Sequence, residues 1–297
     1  MTILCIETST SVCSAAICKD GKPFKQCINK EGSSHARLLP LYIENLLDWA
    51  QTEGMKIEAV ALSEGPGSYT GLRIGTSTAK GLCYGLDIPL IPVPTLEVLC
   101  EAAREQSQFT IHNSQITNHK SQITNHQSPI TNHQSPITNH QSPITNHQSP
   151  ITNHQSPITN PLLCPMIDAR RMEVYTALYS AEVKGDRLKV KGSQARAVVV
   201  ENEENLYSRS DLEAVYTPSA QRSIYYFGDG AAKCRVVLTN PDWHYLPDIV
   251  PEAQYIGVLA ENLMADGRIL TASSIAYYEP YYLKEFVAAP SHIKGLN

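Results

Sequence analysis

The sequence has no run of 18 consecutive apolar residues, the length that a membrane-spanning helix needs, and this predicts a soluble chain. It also has no excess of basic charge: 24 Lys+Arg stand against 29 Asp+Glu, a formal net charge of −5, which excludes a strongly basic nucleic-acid binder. CxxC pairs and histidines at zinc-finger spacing are both lacking. The eight cysteines (Cys5, Cys13, Cys18, Cys27, Cys83, Cys100, Cys164 and Cys234) lie singly, mostly inside apolar runs, and read as buried, reduced thiols of a cytoplasmic protein. The start, MTILCIETSTSVCSAAI, has no basic n-region, and Glu7 with the hydroxyl residues Thr8 to Ser11 breaks its apolar stretch; no signal peptide is expected.

What is present is an ordinary globular composition, 42% hydrophobic, interrupted by a repeat. From Ser114 the heptad S(Q/P)ITNH(K/Q) recurs six times and ends in a truncated SPITN at Asn160, leaving 250 residues to fold. The repeat holds one lysine and no acid, so the remainder carries −6. One isoleucine per heptad makes no coiled-coil seam, and proline in most copies forbids a continuous helix. The repeat is expected to be disordered, and its histidines are too costly to order for metal binding to be the better reading.

Before the repeat, TILCIETS, VCSAAICKD and PFKQCIN read as a three-stranded antiparallel meander turning at Thr8–Ser11 and at Asp20-Gly21. Ser33 and Ser34 are expected to cap a helix whose apolar face carries Leu38, Leu39, Tyr42, Ile43, Leu46, Leu47 and Ala50, with Pro40 tolerable only in its first turns. The strand IEAVALS runs into the loop EGPGSYTG, followed by a helix from about Leu72 to Leu86, the strand PLIPV and the helix TLEVLCEAAREQ. After the repeat, LLCPMIDA and MEVYTALYS form a hairpin, and RLKVKGSQARAVVV supplies one or two strands. A charged helix near 201–209, the strand SIYYFG, a helix from Ala231 and the amphipathic EAQYIGVLAENLMADG follow. The fold class is α/β. A meander with strands and helices, followed by a partial second copy, resembles the duplicated ribonuclease-H-like halves of the actin, hexokinase and Hsp70 superfamily.

Gly65, Gly67, Thr70 and Gly71 lie where a strand feeds a helix, the setting of an anion cradle. No Lys-Ser/Thr follows Gly71, so the loop is not a P-loop, and a tight turn with close backbone approach is the heavier reading. Gly71, Gly75 and Ala79 recur every fourth residue and form a stripe that another helix can approach closely. Trp49 is an interface anchor or a core residue. Phe227-Gly228-Asp229-Gly230-Ala231 resembles a nucleotide-contacting turn, but Asp229 favours capping and opposes an anion. Asp168, Arg170 and Glu173 have the residue types of an acid, an anchor and a base, although a solvated turn with exposed ion pairs outweighs that role.

Together IETSTSVCSAAI, SHARLLP, EGPGSYTGLRIGTSTAKGL, IPVPTLEVL, MIDARRMEVYTALY and EPYYLKEF resemble the TsaB (YeaZ) family, bacterial partner subunits in threonylcarbamoyladenosine formation on tRNA. The likeness is close over residues 1–104 and 162–179, and loose over 180–270. It implies an actin-like paralogue of the catalytic TsaD that keeps the fold without the active site. Where TsaD carries an HxxxH metal motif, this chain has Thr95 and Leu99, which cannot replace two nitrogen ligands; neither a metal nor a cofactor is expected. In superfamily kinases the first strand ends in an aspartate near the phosphates, and here it ends in Glu7, which does not by itself exclude ATP.

The resemblance implies a non-catalytic subunit that scaffolds and activates a TsaD-like transferase acting on adenosine 37 of tRNAs reading codons that begin with A. Such a complex includes a TsaE-like ATPase and reaches tRNA only as a whole; alone, the chain can form a homodimer. The expected interface is Leu38, Tyr42, Leu46, Trp49, Gly71, Arg73, Gly75 and Ala79. An ATP-dependent phosphotransferase of the same fold is the alternative, and a glycoprotease-like peptidase ranks last. The expected domains are 1–105 and 162–297, separated by a low-complexity insertion over 106–161, with the C-terminal segment able to pack back on the first. Because the repeat brings almost no apolar area, deletion of residues 114–160 is predicted to leave the thermal melt of the full-length protein nearly unchanged. A drop of many degrees in that melt would show that the repeat packs.

Overall fold

A computed structural model describes residues 1–32, 34–106, 161–184, 187–201, 206 and 223–284, without the side chains of 182–184 and 187–189. The repeat, Ser33, and nearly all of the charged helix expected near 201–209 lie outside the described residues.

The first sheet contains β1 (Thr2–Glu7), β2 (Cys13–Lys19), β3 (Lys22–Asn29), β4 (Ala59–Gly65) and β5 (Leu90–Pro94) in the order β3-β2-β1-β4-β5. β1, β2 and β3 form the antiparallel meander, while β4 and β5 run parallel to β1. Every residue of β1 is buried, because both faces of the sheet are covered; hence the strand is an apolar run rather than an alternation of polar and apolar residues. Leu4, Ile6, Val60 and Leu62 meet α1 (His35–Thr52) and α2 (Tyr69–Leu86) through Leu39, Leu46 and Ala79. Ile3, Cys5, Ala59 and Ala61, pointing the other way, meet Ala253, Ile256, Leu259 and Ala260.

The second sheet repeats the plan. Its strands are β6 (Leu162–Asp168), β7 (Glu173–Thr176), β8 (Tyr179–Lys184), β9 (Arg187–Gly192), β10 (Arg196–Val199), β11 (Ile224–Phe227) and β12 (Trp243–Tyr245). The path β10-β7-β6-β11-β12 has the first sheet's pattern, two antiparallel neighbours on one side of the central strand and two parallel ones on the other. This is the duplicated ribonuclease-H-like, actin-like arrangement. MEVYTALYS, read as one strand, is two: β7 pairs with Met166–Asp168, whereas β8 pairs with Leu162 and Leu163. The break falls where Ala177 and Leu178 are buried in different clusters, and Leu178 and Ser193 exchange hydrogen bonds there.

Helix α3 (Thr95–Gln106) and helix α5 (Ala253–Ala265) lie side by side between the sheets, with the short helices α4 (Ala231–Cys234) and α6 (Ala272–Ile275) outside them. α3 directs Val98 to the first sheet and Leu96, Leu99 and Cys100 to the second. α5, from late in the chain, lies on the first sheet so closely that a Cβ at Gly257 would lie 2.4 Å from the Cβ of Cys18. One helix starts where expected, without its expected cap bond, and one starts early. α1 begins at His35 behind Ser34, whose side chain makes no capping hydrogen bond, and Pro40 is its sixth residue. α2 begins at Tyr69, three residues early, because the Ser68 hydroxyl accepts from the Gly71 N–H at 3.3 Å and supplies the cap.

The stripe on α2 faces inward, which corrects its assignment to a partner surface. A Cβ at position 71 would lie 2.0 Å from the Thr8 carbonyl oxygen, and one at position 75 would lie 2.3 Å from Thr8 Oγ1. Ala79 is fully buried in the core under α2. Leu46, also expected at the interface, is 0% exposed and belongs to the same core. Gly71→Ala is therefore predicted to cost about 1–3 kcal/mol of folding stability by overpacking against a backbone oxygen that cannot turn away. Gly75→Ala, which meets a side-chain hydroxyl instead, is expected to cost less. Chemical denaturation of both variants checks the order, and equal stability with the parent would contradict it.

Candidate functional site

The residues singled out in the sequence converge on the turn after β1. Glu7 is fully buried, and its two carboxylate oxygens are already engaged. Oε1 accepts from the Ser9 N–H at 2.6 Å and the Ser9 hydroxyl at 2.5 Å, and Oε2 accepts from the Ser63 hydroxyl. Burial raises its pKa while these hydrogen bonds pull it back down. A carboxylate so engaged ties the end of β1 to β4.

The glycine loop closes onto the same turn. The Gly65-Pro66 peptide is cis, Gly65 has φ +116°, and its N–H donates to the Thr95 hydroxyl at 3.1 Å. The Ser68 N–H donates to the Ser9 carbonyl at 2.6 Å, and the Thr8 hydroxyl donates to the Gly71 carbonyl at 2.8 Å. A Cβ at Gly67 would lie 2.3 Å from the Ser9 carbonyl oxygen. Of the cradle candidates, Gly65, Gly67 and Gly71 are thus placed against the chain's own backbone and Thr70 is exposed. The amides of Gly65, Ser68 and Gly71 are spent on Thr95, Ser9 and the Ser68 hydroxyl, which argues against an anion cradle.

In the second half, the Asp168 N–H donates to Asp229 Oδ1 at 3.0 Å, and Asp168 Oδ1 accepts from the Arg170 N–H and pairs with Lys233. Glu173 pairs with Lys284. Arg170 and Arg171 both have left-handed backbone, at φ 71° and 49°, so the turn is held by Asp168 rather than by glycine. Asp168, Arg170 and Glu173 are brought near one another, but the carboxylates are committed to lysines.

Thr95 and Leu99 are completely buried. Among the described residues no group of three or more His, Cys, Asp or Glu side chains is arranged to hold a metal. His35 Nε2 lies 2.9 Å from the Thr10 carbonyl oxygen, and the His244 ring stacks on Tyr225.

Leu38, Tyr42 and Trp49 are half-buried on α1, and Lys25 lies over the Trp49 ring. Arg73 is exposed and stacks on Tyr69. The outward face of α2 instead carries Ser77, Gly81, Tyr84 and Gly85, with Tyr84 91% exposed and open space around both glycines. Leu41 on α1 and Leu86 are exposed as well. Of the two small-residue stripes on α2, 71/75/79 faces the core and 77/81/85 faces outward. The signal that separates them is the phase of Leu72 and Cys83, which marks the core side.

A cavity of about 270 Å³ opens beside the glycine loop, lined by Glu64, Gly65, Pro66, Pro94, Leu96, Glu97, Tyr179, Ala195 and Tyr281. Burial pushes Glu97 up to about 7; Arg268 opposes the shift and Glu64 adds to it. Burial also raises Glu64.

A family model described as TsaD, tRNA N6-adenosine threonylcarbamoyltransferase, matches residues 29–111. A tRNA threonylcarbamoyladenosine biosynthesis protein TsaB from Haemophilus influenzae is 36% identical over 110 residues, covering 36% of this chain and 45% of the relative. The Escherichia coli TsaB is 38% identical over 106 residues, covering 35% and 44%. Over its N-terminal third the chain is similar to the TsaB/YeaZ family. It spans a little under half of the length of these curated relatives. In fold, the chain is similar to YeaZ from Pseudomonas aeruginosa at a TM-score of 0.62 and 21% identity, covering 95% of this chain and 99% of that one.

The desolvated Glu97 costs stability once it ionises. Its folded pKa lies above the ordinary 4.5, so the folded state holds the proton more tightly, and stability is lost as pH rises from about 4.5 through about 7. Glu97→Gln is predicted to stabilise the protein by about 1–2 kcal/mol at pH 8, after allowance for partial solvent screening, and by almost nothing at pH 4. Denaturation at the two pH values tests this; a gain independent of pH would refute the assignment.

Proposed function

We propose that this chain is a non-catalytic partner subunit of a TsaD-like enzyme that transfers a threonylcarbamoyl group to adenosine 37 of tRNA. The observation that carries the reading is the outward face of α1 and α2, where exposed Leu41, Tyr84 and Leu86 adjoin Gly81 and Gly85 in open space. Glycines there let a partner helix approach closely, and the apolar side chains give it area to bury. In this reading Leu38, Tyr42, Trp49 and Arg73 border the contact, whereas Leu46, Gly71, Gly75 and Ala79 support it from beneath.

The TsaB names of the curated relatives agree with this role, as does the match to the TsaD family model. A TsaE-like ATPase joins the complex, tRNA is reached through the complex, and the same face pairs two copies when TsaD is absent. Its place is the cytoplasm; among the described residues no helix is long and apolar enough to cross a membrane. A phosphotransferase is disfavoured because the Glu7 oxygens and the loop amides are engaged within the chain. No observation favours a peptidase.

The decisive variant is Gly81→Leu, since nothing lies within 4 Å of a Cβ placed there. The melt is expected to hold or rise slightly, because leucine is the better helix former. Affinity for a TsaD-like partner, measured by titration calorimetry, is expected to fall about five- to more than one-hundred-fold if overpacking costs about 1–3 kcal/mol. Unchanged affinity would move the pairing surface elsewhere.

A further inference from the structure

We propose that the cavity beside the glycine loop binds a small organic cation carrying an alkylammonium or guanidinium group. Both halves of the molecule build it. Glu64 and Glu97 enter from the end of β4 and the start of α3, Tyr179 and Ala195 enter from the second half, and Tyr281 enters from the C-terminal segment. That segment is anchored at the rim, since the Tyr281 N–H donates to the Glu64 carbonyl at 2.7 Å.

The polar side chains in the cavity have no hydrogen-bond partner among the described residues. Tyr179 is only 6% exposed, yet its hydroxyl makes no hydrogen bond to a described residue, and burial with the nearby Glu97 and Tyr281 opposes its ionisation. That hydroxyl is therefore available to a ligand entering the cavity. Neither the Glu64 nor the Glu97 carboxylate accepts a hydrogen bond from a described residue. The charged and titratable groups acting on Glu97 are Glu64 and Arg268, together with Tyr179 and Cys100, on whose ionisation its charge bears. Arg268 is exposed and does not line the cavity.

These groups specify the ligand's chemistry. Two carboxylates repel an anion. An ammonium group has three donors and no acceptor, matching one oxygen each from Glu64, Glu97 and Tyr179, and a guanidinium meets the same set with its planar fork. Tyr179 and Tyr281 bring aromatic walls suited to an organic cation. The apolar lining of Pro66, Pro94, Leu96 and Ala195 suits the carbon skeleton of an organic cation better than the water shell of a hydrated metal ion. At about 270 Å³ the space is smaller than a drug-sized pocket, so the ligand is small. This inference stands independently of the pairing proposed above.

The test is titration calorimetry on the full-length protein at pH 8, using butylammonium chloride and methylguanidinium chloride as probes and 1-butanol as the neutral isostere. Saturable one-to-one binding of at least one cation, with none of butanol, is expected. Glu97→Gln should weaken that binding at least about tenfold, and Tyr179→Phe by a smaller factor. Glu97→Gln keeps the side-chain volume and removes a buried charge, so it remains decisive should Tyr179→Phe fail to fold. Nα-acetyl-lysine methylamide separates two sources of the cation: equal affinity assigns a protein's lysine side chain, and rejection assigns a free amine. Absence of saturable cation binding, equal binding of butanol, or an unchanged affinity in Glu97→Gln would each overturn the proposal.

Discussion

The approach of the glycine loop to the turn after β1 is the contact on which the molecule's central architecture depends. Thr8 and Ser9 present carbonyl oxygens to Gly71 and Gly67 at separations that leave no room for a Cβ. The Ser68 amide and the Thr8 hydroxyl then fasten the two segments together. This contact sets the start of α2, lets its inner face lie on β1 and β4, and places Glu64 and Gly65 at the mouth of the inter-sheet cavity. The buried Glu7 completes the junction by binding Ser9 on one side and Ser63 on the other.

That junction also engages polar groups of the kind that bind anions and metals. The groups that an anion or a hydrated metal would use are present in type, a carboxylate at a strand end and amides at a helix start, but they satisfy one another. Buried polar groups need partners, and these found them within the chain. The side chains of Tyr179, Glu64 and Glu97, which make no hydrogen bond to a described residue, lie instead in the cavity between the halves.

The strands and the opening meander were legible before the structure because they follow from short-range patterns. The runs TILCIE and AVALS are continuous and apolar since their strands are buried on both faces, and the meander turns where Asp20-Gly21 permits left-handed backbone. The single strand read over 172–180 failed because its division depends on which part of β6 each piece pairs with. The glycine stripe was legible as a close-packing surface, but its direction was not. Two stripes of small residues run along α2, and spacing alone treats them alike.

Local patterning by itself determined the α/β class, since that follows from residue type and periodicity along the chain; the quoted motifs carried the family resemblance, which implied the duplicated plan and singled out Thr95 and Leu99 as positions without nitrogen ligands. Tertiary structure alone decided that Gly71 and Gly75 face Thr8, that α5 returns from residue 253 to cover the first sheet, and that Glu64, Glu97, Tyr179 and Tyr281 share one cavity. The physical reason is that periodicity records which face of an element is buried but not what buries it. The partners of these residues lie tens to hundreds of positions away, and only the packing of one half against the other brings them together.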